Sequence, residues 1–161
     1  MERLQAIAQG RFVIEDILLG YAEAIDNGDI ETVGALFARA DIQMPDGTSL
    51  EGSEEINQHY RNLIIFYDAD GNPVPYQRGE CSPRTRHVMS NIRYSFNNAV
   101  NQVDVRSYFS AYQTIGDKNE IIAGGHYVDS FEHDLQGWHI VHREIFLENL
   151  GDMSHHLVEP L

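Results

Sequence analysis

Apolar residues recur at steps of three and four along the first part of the chain, which is the pattern of amphipathic helices. Residues 11–26 carry such a stripe, so we predict a first helix over this range. Asn27-Gly28 is typical of a helix C-terminus, and Asp29 is a good N-cap for a second helix over residues 29–38. A third helix is predicted over residues 53–67. The N-terminal part of the chain is therefore helical.

The pattern changes after Pro83, where β-branched and aromatic residues alternate with polar ones. This alternation predicts long strands separated by turn residues, and a short extended pair around Pro45-Asp46-Gly47 comes before them. The predicted long strands cover residues 85–96, 103–115, 120–132 and 138–147. Helices followed by a meander of strands indicate an α+β fold. We predict three N-terminal helices packed on a strongly curved, mostly antiparallel sheet that forms a cone with an internal cavity.

Length and charge narrow the classes of protein. The 161 residues suit a single domain, 1–161, with a C-terminal tail over about 148–161 that is loose or packs on a neighbour. A formal charge of −14 would repel nucleic acid and an anionic membrane surface, so we expect neither as a partner. Cys81 is the only cysteine, the residues MERLQAIAQG lack the apolar stretch of an export leader, and no run of ~18 apolar residues occurs. We therefore expect a cytoplasmic protein.

One histidine lies inside the first long strand, in the run "TRHVMSN". Alternation places His87, Met89 and Asn91 on one face of this strand, although the pattern does not say whether that face is the inner one. His87 has two interpretations, a catalytic base or a core residue. Asp26 likewise either contributes to a site or only ends the first helix and bonds to the following turn. Tyr21, five residues before Asp26, can flank the same cavity wall.

The later strands add two further candidates. Tyr127 shares a face with Asp129 on the third strand, and Arg143 lies on the fourth. Arg143 either contacts substrate or only forms an ion pair with Asp129 or Glu144. The eight histidines lack the spacing of a zinc site, so we expect no metal. Because the strands carry many apolar residues, we also expect a second covered face and hence a homodimer or homotrimer.

The runs "YAEAID", "TRHVMSN", "VRSYF" and "GGHYVDSFEHDLQGWHIVHREI" resemble the SnoaL-like branch of the nuclear-transport-factor-like superfamily over nearly the whole chain. That superfamily has a cystatin-like α+β cone. Its members include scytalone and bile acid dehydratases, hexachlorocyclohexane dehydrochlorinase, ketosteroid isomerase, polyketide cyclases and the non-catalytic small subunits of ring-hydroxylating dioxygenases. The resemblance implies the same cone for this chain.

The resemblance also implies roles for particular residues. Asp26 and His87 match the catalytic dyad of the dehydratases and the dehydrochlorinase, and Tyr21 matches a contributing tyrosine of the bile acid dehydratases. Tyr127 and Arg143 match substrate-binding or catalytic positions. Two departures stand out: Tyr21 occupies the position of the dehydrochlorinase lysine, and Ser107-Tyr108 stand where scytalone dehydratase has a second pocket histidine. The predicted substrate-binding set is Tyr127, Arg143, Asn91, Met89 and Tyr108.

Proton removal next to a carbonyl needs a base whose pKa is near neutrality, which a histidine supplies. Asp26 would orient His87, and the tyrosines would donate to developing negative charge. We therefore predict a cofactor-independent lyase of the dehydratase type that acts on a small cyclic or polyketide-like apolar substrate. The alternatives are an isomerase or cyclase that shares the same first step, and a non-catalytic binding or assembly domain.

Overall fold

The computed structural model describes residues 1–159, and its N-terminal part contains three helices. The helices are α1 (Glu2–Asp26), α2 (Ile30–Leu36) and α3 (Gly52–Leu63). The start of α2 is fixed as predicted, because the side chain of Asp29 accepts hydrogen bonds from the backbone and the hydroxyl of Thr32. In contrast, α1 begins earlier than predicted. The third helix ends earlier, because the chain turns extended at Ile64.

The main sheet has six strands instead of the four predicted long ones. Its strands are β1 (Asp41–Gln43), β2 (Ser49–Glu51), β5 (Thr85–Phe96), β6 (Gln102–Ile115), β7 (Lys118–Asp134) and β8 (Gly137–Leu150), in the order β2-β1-β8-β7-β6-β5. Within this sheet β1 pairs with β8 in parallel and the other neighbours are antiparallel. The predicted short extended pair thus joins the main sheet. The last two residues of the predicted third helix instead form β3 (Phe66–Tyr67), which makes a small separate pair with β4 (Pro73–Val74).

The core lies between α1 and the inner face of the sheet. Buried residues of α1 such as Ile14, Leu18 and Ile25 pack there against strand residues, and each fully buried aliphatic side chain contributes about 1.5–3 kcal/mol. The apolar strand residues that suggested a second covered face are nearly all buried in this one core, namely Val103, Val105, Phe109, Ile122 and Ile140. The homodimer or homotrimer therefore loses much of its original argument and stays a prediction.

The C-terminal tail folds back onto its own chain, so the expectation of a loose tail was wrong for most of its length, and packing on a neighbour stays a prediction. The backbone N–H of Ile65 donates to the carbonyl of His156, and that of Val158 donates to the carbonyl of Leu63. Leu157 also forms a bridge to Ile64. Residues 160–161 of the predicted tail lie outside the described residues. Among residues 1–159, the structure contains no helix that is long and apolar enough to span a membrane.

Candidate active site

The last residue of α1 and the third residue of β5 meet at one end of the core. His87 Nδ1 lies 2.6 Å from Asp26 Oδ1, so the two side chains are within hydrogen-bond reach, as expected if Asp26 orients His87, and the contact is direct. Both side chains are about nine-tenths buried or more. The periodicity of α1 and the alternation of β5 therefore bring these two residues together from positions 61 residues apart.

Asp26 is held by the strand and not by its own helix end. Its Oδ2 accepts a hydrogen bond of 2.7 Å from the backbone N–H of His87, and its Oδ1 accepts one of 2.7 Å from the hydroxyl of Thr85. Burial raises the pKa of Asp26. This effect is outweighed by the hydrogen bonds from His87, by the charge interaction with His87 and by the hydrogen bond from Thr85, which together hold the pKa below its usual value. The carboxyl group is therefore ionised at neutral pH.

The ionised carboxylate determines which nitrogen of His87 carries the proton. A carboxylate can only accept hydrogen bonds, so the Nδ1 of a neutral His87 must be the donor in the contact with Asp26. In that tautomer Nε2 carries a free lone pair. The pair thus has the arrangement of a general base with an orienting carboxylate.

His87 lines a small cavity whose wall is largely apolar. The cavity has a volume of about 90 Å³. Its wall comes from α1, the end of α3, the β1–β2 turn, the inner face of the sheet and the C-terminal segment, and it includes Ile25, Met44, Leu63, Phe109 and Met153. A wider cleft of about 500 Å³ lies on the other side of Asp26, but it does not include His87. We therefore place the candidate site in the smaller cavity.

Three tyrosines supply hydroxyl groups at this cavity. Tyr21, Tyr60 and Tyr127 all line it, and the hydroxyls of Tyr21 and Tyr60 are 2.9 Å apart. Burial, followed by the neighbouring Tyr21, raises the pKa of Tyr60 and of Tyr127 well above the ordinary value. Both hydroxyls therefore keep their protons at neutral pH and can act as hydrogen-bond donors.

Arg143 lies behind the tyrosines and not on the cavity surface. Its guanidinium forms two hydrogen bonds with Asp129, of 2.7 and 2.8 Å, and both residues are fully buried. The guanidinium also lies 4.3 Å from the ring centre of Tyr21 and 4.2 Å from that of Tyr127. Of the two interpretations of Arg143, the ion pair with Asp129 is the one the structure contains, and the tyrosine rings lie between its charge and the cavity.

The other predicted substrate-binding residues lie elsewhere. Asn91 was expected on the face of His87, but the pairing of β5 with β6 is irregular between Ser90 and Arg93 and Asn91 adopts a φ of +52°. This irregularity leaves Asn91 exposed. Tyr108 is 45% exposed, since alternation in β6 turns Phe109 inward instead. Met89 is half-buried and packs against the core without lining the cavity.

Besides the apolar residues of the wall, sequence reasoning missed three hydrogen-bonding residues of the site. Thr85 begins the same strand as His87, and alternation from His87 would have placed it on the inner face. Tyr60 lies on the buried face of α3 with Ile56 and Asn57, which helical periodicity would have identified. His156 lines the cavity from the C-terminal segment, and no local pattern predicts that this segment folds back.

Comparison with solved structures supports the same fold. A protein from Novosphingobium aromaticivorans with an NTF2-like, cystatin-like fold has a TM-score of 0.69 at 16% identity, covering 96% of this chain and 90% of its own. A candidate scytalone dehydratase from the same species has a TM-score of 0.69 at 19% identity, covering 92% of this chain and 91% of its own. The hexachlorocyclohexane dehydrochlorinase LinA-type3 from Novosphingobium barchaimii has a TM-score of 0.69 at 13% identity, covering 91% and 92%.

These likenesses establish the cone of helices and curved sheet, as predicted. None of the curated proteins matches this chain. A family model does match it, over residues 8–144, and that span begins in α1 and ends in β8, so that it contains both His87 and Asp26. The chain therefore belongs to the family of SnoaL-like domains.

Proposed function

We propose that this protein is a lyase of the dehydratase type, in which His87 removes a proton from a carbon atom next to a carbonyl group of the substrate. The observation that carries the proposal is the contact of 2.6 Å between His87 and the ionised Asp26 at the edge of an apolar cavity. The SnoaL-like family and the fold shared with a dehydrochlorinase and a candidate dehydratase support a reaction of this class.

In the proposed reaction, Nε2 of His87 takes the proton and becomes the imidazolium. The electron pair of the broken C–H bond forms the new C=C bond, and the group on the neighbouring carbon leaves with its own bonding pair. A leaving hydroxyl needs a proton, which the imidazolium then provides, so that His87 returns to its neutral form. Asp26 stabilises the imidazolium without taking its proton, since its pKa is held low. This chemistry calls on no cofactor.

The tyrosine hydroxyls are suited to the charge that develops on the carbonyl oxygen. Tyr60 and Tyr127 keep their protons and line the same cavity as His87. A buried donor to such an oxygen contributes about 3–4 kcal/mol to the stability of the transition state. Tyr21 contacts Tyr60 and can share this task.

The cavity sets the size and polarity of the proposed substrate. A volume of about 90 Å³ is smaller than the ~150 Å³ cavity that accommodates benzene in an engineered protein. A ring-sized substrate therefore needs flexible wall residues such as Met44 and Met153 to change rotamer. We propose a small, uncharged substrate, cyclic or polyketide-like, with a carbonyl group and a leaving group such as a hydroxyl on the β-carbon.

The small cavity also favours a second candidate function. A site that is nearly filled by its own side chains suits a non-catalytic binding or assembly domain, similar to a dioxygenase small subunit. An isomerase or cyclase would use the same proton abstraction as the lyase and differs from it only in the later steps. The lyase, isomerase and cyclase all require His87 as a base, whereas a binding or assembly domain does not.

The test is a screen of β-hydroxy ketones and cyclic enones for conversion without added cofactor, followed by His87→Ala on any substrate found. We expect His87→Ala to abolish turnover. His142→Ala is the matched control, because His142 forms a similar 2.7 Å contact with Asp41 outside the cavity. Full activity of His87→Ala would reject the lyase, and a screen without any conversion would favour the binding domain.

A further inference from the structure

The C-terminal segment brings a second histidine into the cavity. The carbonyl of His156 accepts a hydrogen bond from the backbone of Ile65, and its N–H donates to the carbonyl of Met153. The neighbouring carbonyl of His155 accepts bonds from the hydroxyl of Tyr67 and the amide of Gln113. These bonds fix the backbone on both sides, so the ring of His156 lines the cavity together with His87.

The ring of His156 is buried without a partner for one nitrogen. The residue is 8% exposed, and its Nδ1 has no hydrogen-bond partner among residues 1–159. An unpaired buried polar group costs about 1–3 kcal/mol of folding free energy, so this position is unfavourable for stability alone. Leu157, the next residue, shows that the segment can bury an aliphatic side chain. Nδ1 has essentially no exposed surface of its own, so a ligand reaches it when wall residues such as Met153 change rotamer, as a ring-sized substrate already requires.

The protonation state of His156 determines which hydrogen bonds its ring can form with a ligand. Burial, and then the nearby His87, lower the pKa of His156 to about 4, although Asp26 acts in the opposite direction. The imidazole is therefore neutral at pH 7. A neutral imidazole has one N–H donor and one acceptor nitrogen, so it can bind an oxygen atom without introducing a second charge beside the base.

We propose that His156 donates a hydrogen bond from its ring to the carbonyl or hydroxyl oxygen of the substrate. This inference deepens the proposed function and rests on it, because it assigns the oxygen of the same substrate to a residue outside the dyad. The consequence is specificity: a hydrocarbon of the same shape leaves the donor unpaired, so a substrate with an oxygen acceptor is preferred.

A pair of probes of matched shape tests the inference without turnover. Cyclohexanone has an oxygen acceptor, and methylenecyclohexane has a carbon in the same place. Their affinities for the whole protein are measured by NMR titration, with carbon-13 at the carbonyl of cyclohexanone. We expect the wild type to prefer cyclohexanone and to shift its carbonyl resonance downfield. His156→Leu should reduce this preference about three- to tenfold, as expected for one neutral hydrogen bond, and reduce the shift to the part that the tyrosine hydroxyls produce.

Two further variants separate this role from a structural one. His156→Asn places an amide nitrogen near the position of Nδ1 and should restore part of the preference. The matched control is His155→Leu, whose side chain is exposed, and it should behave like the wild type. His156→Leu should unfold at the same or a higher urea concentration than the wild type, because it removes an unpaired buried group.

Three results would overturn the inference: an unchanged preference and carbonyl shift in His156→Leu, a clear loss of its stability, or no binding of cyclohexanone by the wild type. These results do not depend on proton abstraction, because binding is measured without turnover. A protein that binds the ketone through His156 but converts nothing would refute the lyase and leave the binding role of His156 intact.

Discussion

Among residues 1–159, the buried aspartates Asp26 and Asp129 each contact a basic side chain, and one of these two pairs borders the cavity. Asp26 contacts His87, which lines the cavity. Asp129 holds Arg143 through two hydrogen bonds, and both residues are fully buried behind the rings of Tyr21 and Tyr127. The two pairs are built from similar groups but lie in different layers of the molecule.

The difference shows that a charged side chain that points into the core does not by itself indicate a catalytic site. A guanidinium cannot release its proton at neutral pH, so the Asp129–Arg143 pair can only fix its surroundings. It holds the rings of Tyr21 and Tyr127 at 4.3 and 4.2 Å and so supports the cavity wall. The imidazole of His87 can exchange a proton, and it has access to the cavity. The Asp26–His87 pair is therefore suited to proton transfer, and the Asp129–Arg143 pair to holding the cavity wall in place.

The largest expected effect is at the pair of Asp26 and His87, called the cavity pair below. His87→Ala should lower turnover of a confirmed substrate by up to about 10⁴-fold, because a general base contributes on the order of 10²–10⁴-fold. Its free energy of unfolding should change little compared with the Arg143 variant below. Steady-state kinetics and urea unfolding check both statements. Comparable losses of stability in the two variants would erase the distinction between the pairs.

The next largest effect is on the free energy of unfolding, at the pair of Asp129 and Arg143. Arg143→Met leaves Asp129 buried without its partner, so the free energy of unfolding should fall by about 3–5 kcal/mol. The double variant Arg143→Met with Asp129→Leu should recover much of this loss, since no unpaired charge remains. Urea unfolding of the single and double variants measures both. A single variant as stable as the wild type would show that the pair does not stabilise the core.

The third prediction uses pH to sharpen the comparison around the cavity pair. The pKa of His156 is about 4 in the folded protein and ordinary in the unfolded chain, near ~6.5. The unfolded chain therefore binds more protons between these values, so folding stability is complete above about pH 6.5 and falls as the pH drops towards 4. The loss from this residue is about 3 kcal/mol.

Unfolding of the wild type and of His156→Leu between pH 7 and pH 4 isolates this contribution. The stability of the wild type should fall by about 3 kcal/mol relative to the variant across that window. Parallel stability curves for the two proteins would mean that His156 is not buried as a neutral ring.

The smallest effect is expected at the wall that the two pairs share. Tyr21→Phe removes one hydroxyl, but Tyr60 and Tyr127 still line the cavity as donors. Turnover should therefore fall about tenfold to a hundredfold, and the packing on Arg143 should be retained because the ring remains. Kinetic constants with unfolding curves provide the check. A loss as large as that of His87→Ala would make Tyr21 the principal catalytic group.

Much of the fold and the central pair could be predicted from the sequence, because both depend on regular periodicity. β5 has the predicted bounds, and His87 lies within hydrogen-bond reach of Asp26, as expected if Asp26 orients it. The α+β cone is likewise as predicted. The predicted position of Asn91 was wrong because the irregularity in β5 changes the alternation after Ser90. No residue type in this run indicates such an irregularity in advance.

The remaining parts depend on contacts that no local pattern encodes. Arg143 has the parity of an inner residue, yet its depth behind Tyr21 and Tyr127 is set by packing between elements far apart in sequence. The C-terminal segment returns to the end of α3 through single backbone hydrogen bonds at Ile65 and Val158. Such a return has no periodicity, so the position of His156 at the cavity was not predictable.

Proton abstraction by His87 is the central claim, and deuterium exchange tests it most directly. Exchange at the carbon next to the carbonyl of cyclohexanone in heavy water, followed by proton NMR, needs no leaving group and reports the base alone. The account predicts exchange that is faster with the wild type than with His87→Ala and that is unchanged in His142→Ala. Equal exchange with the wild type and with His87→Ala would contradict it.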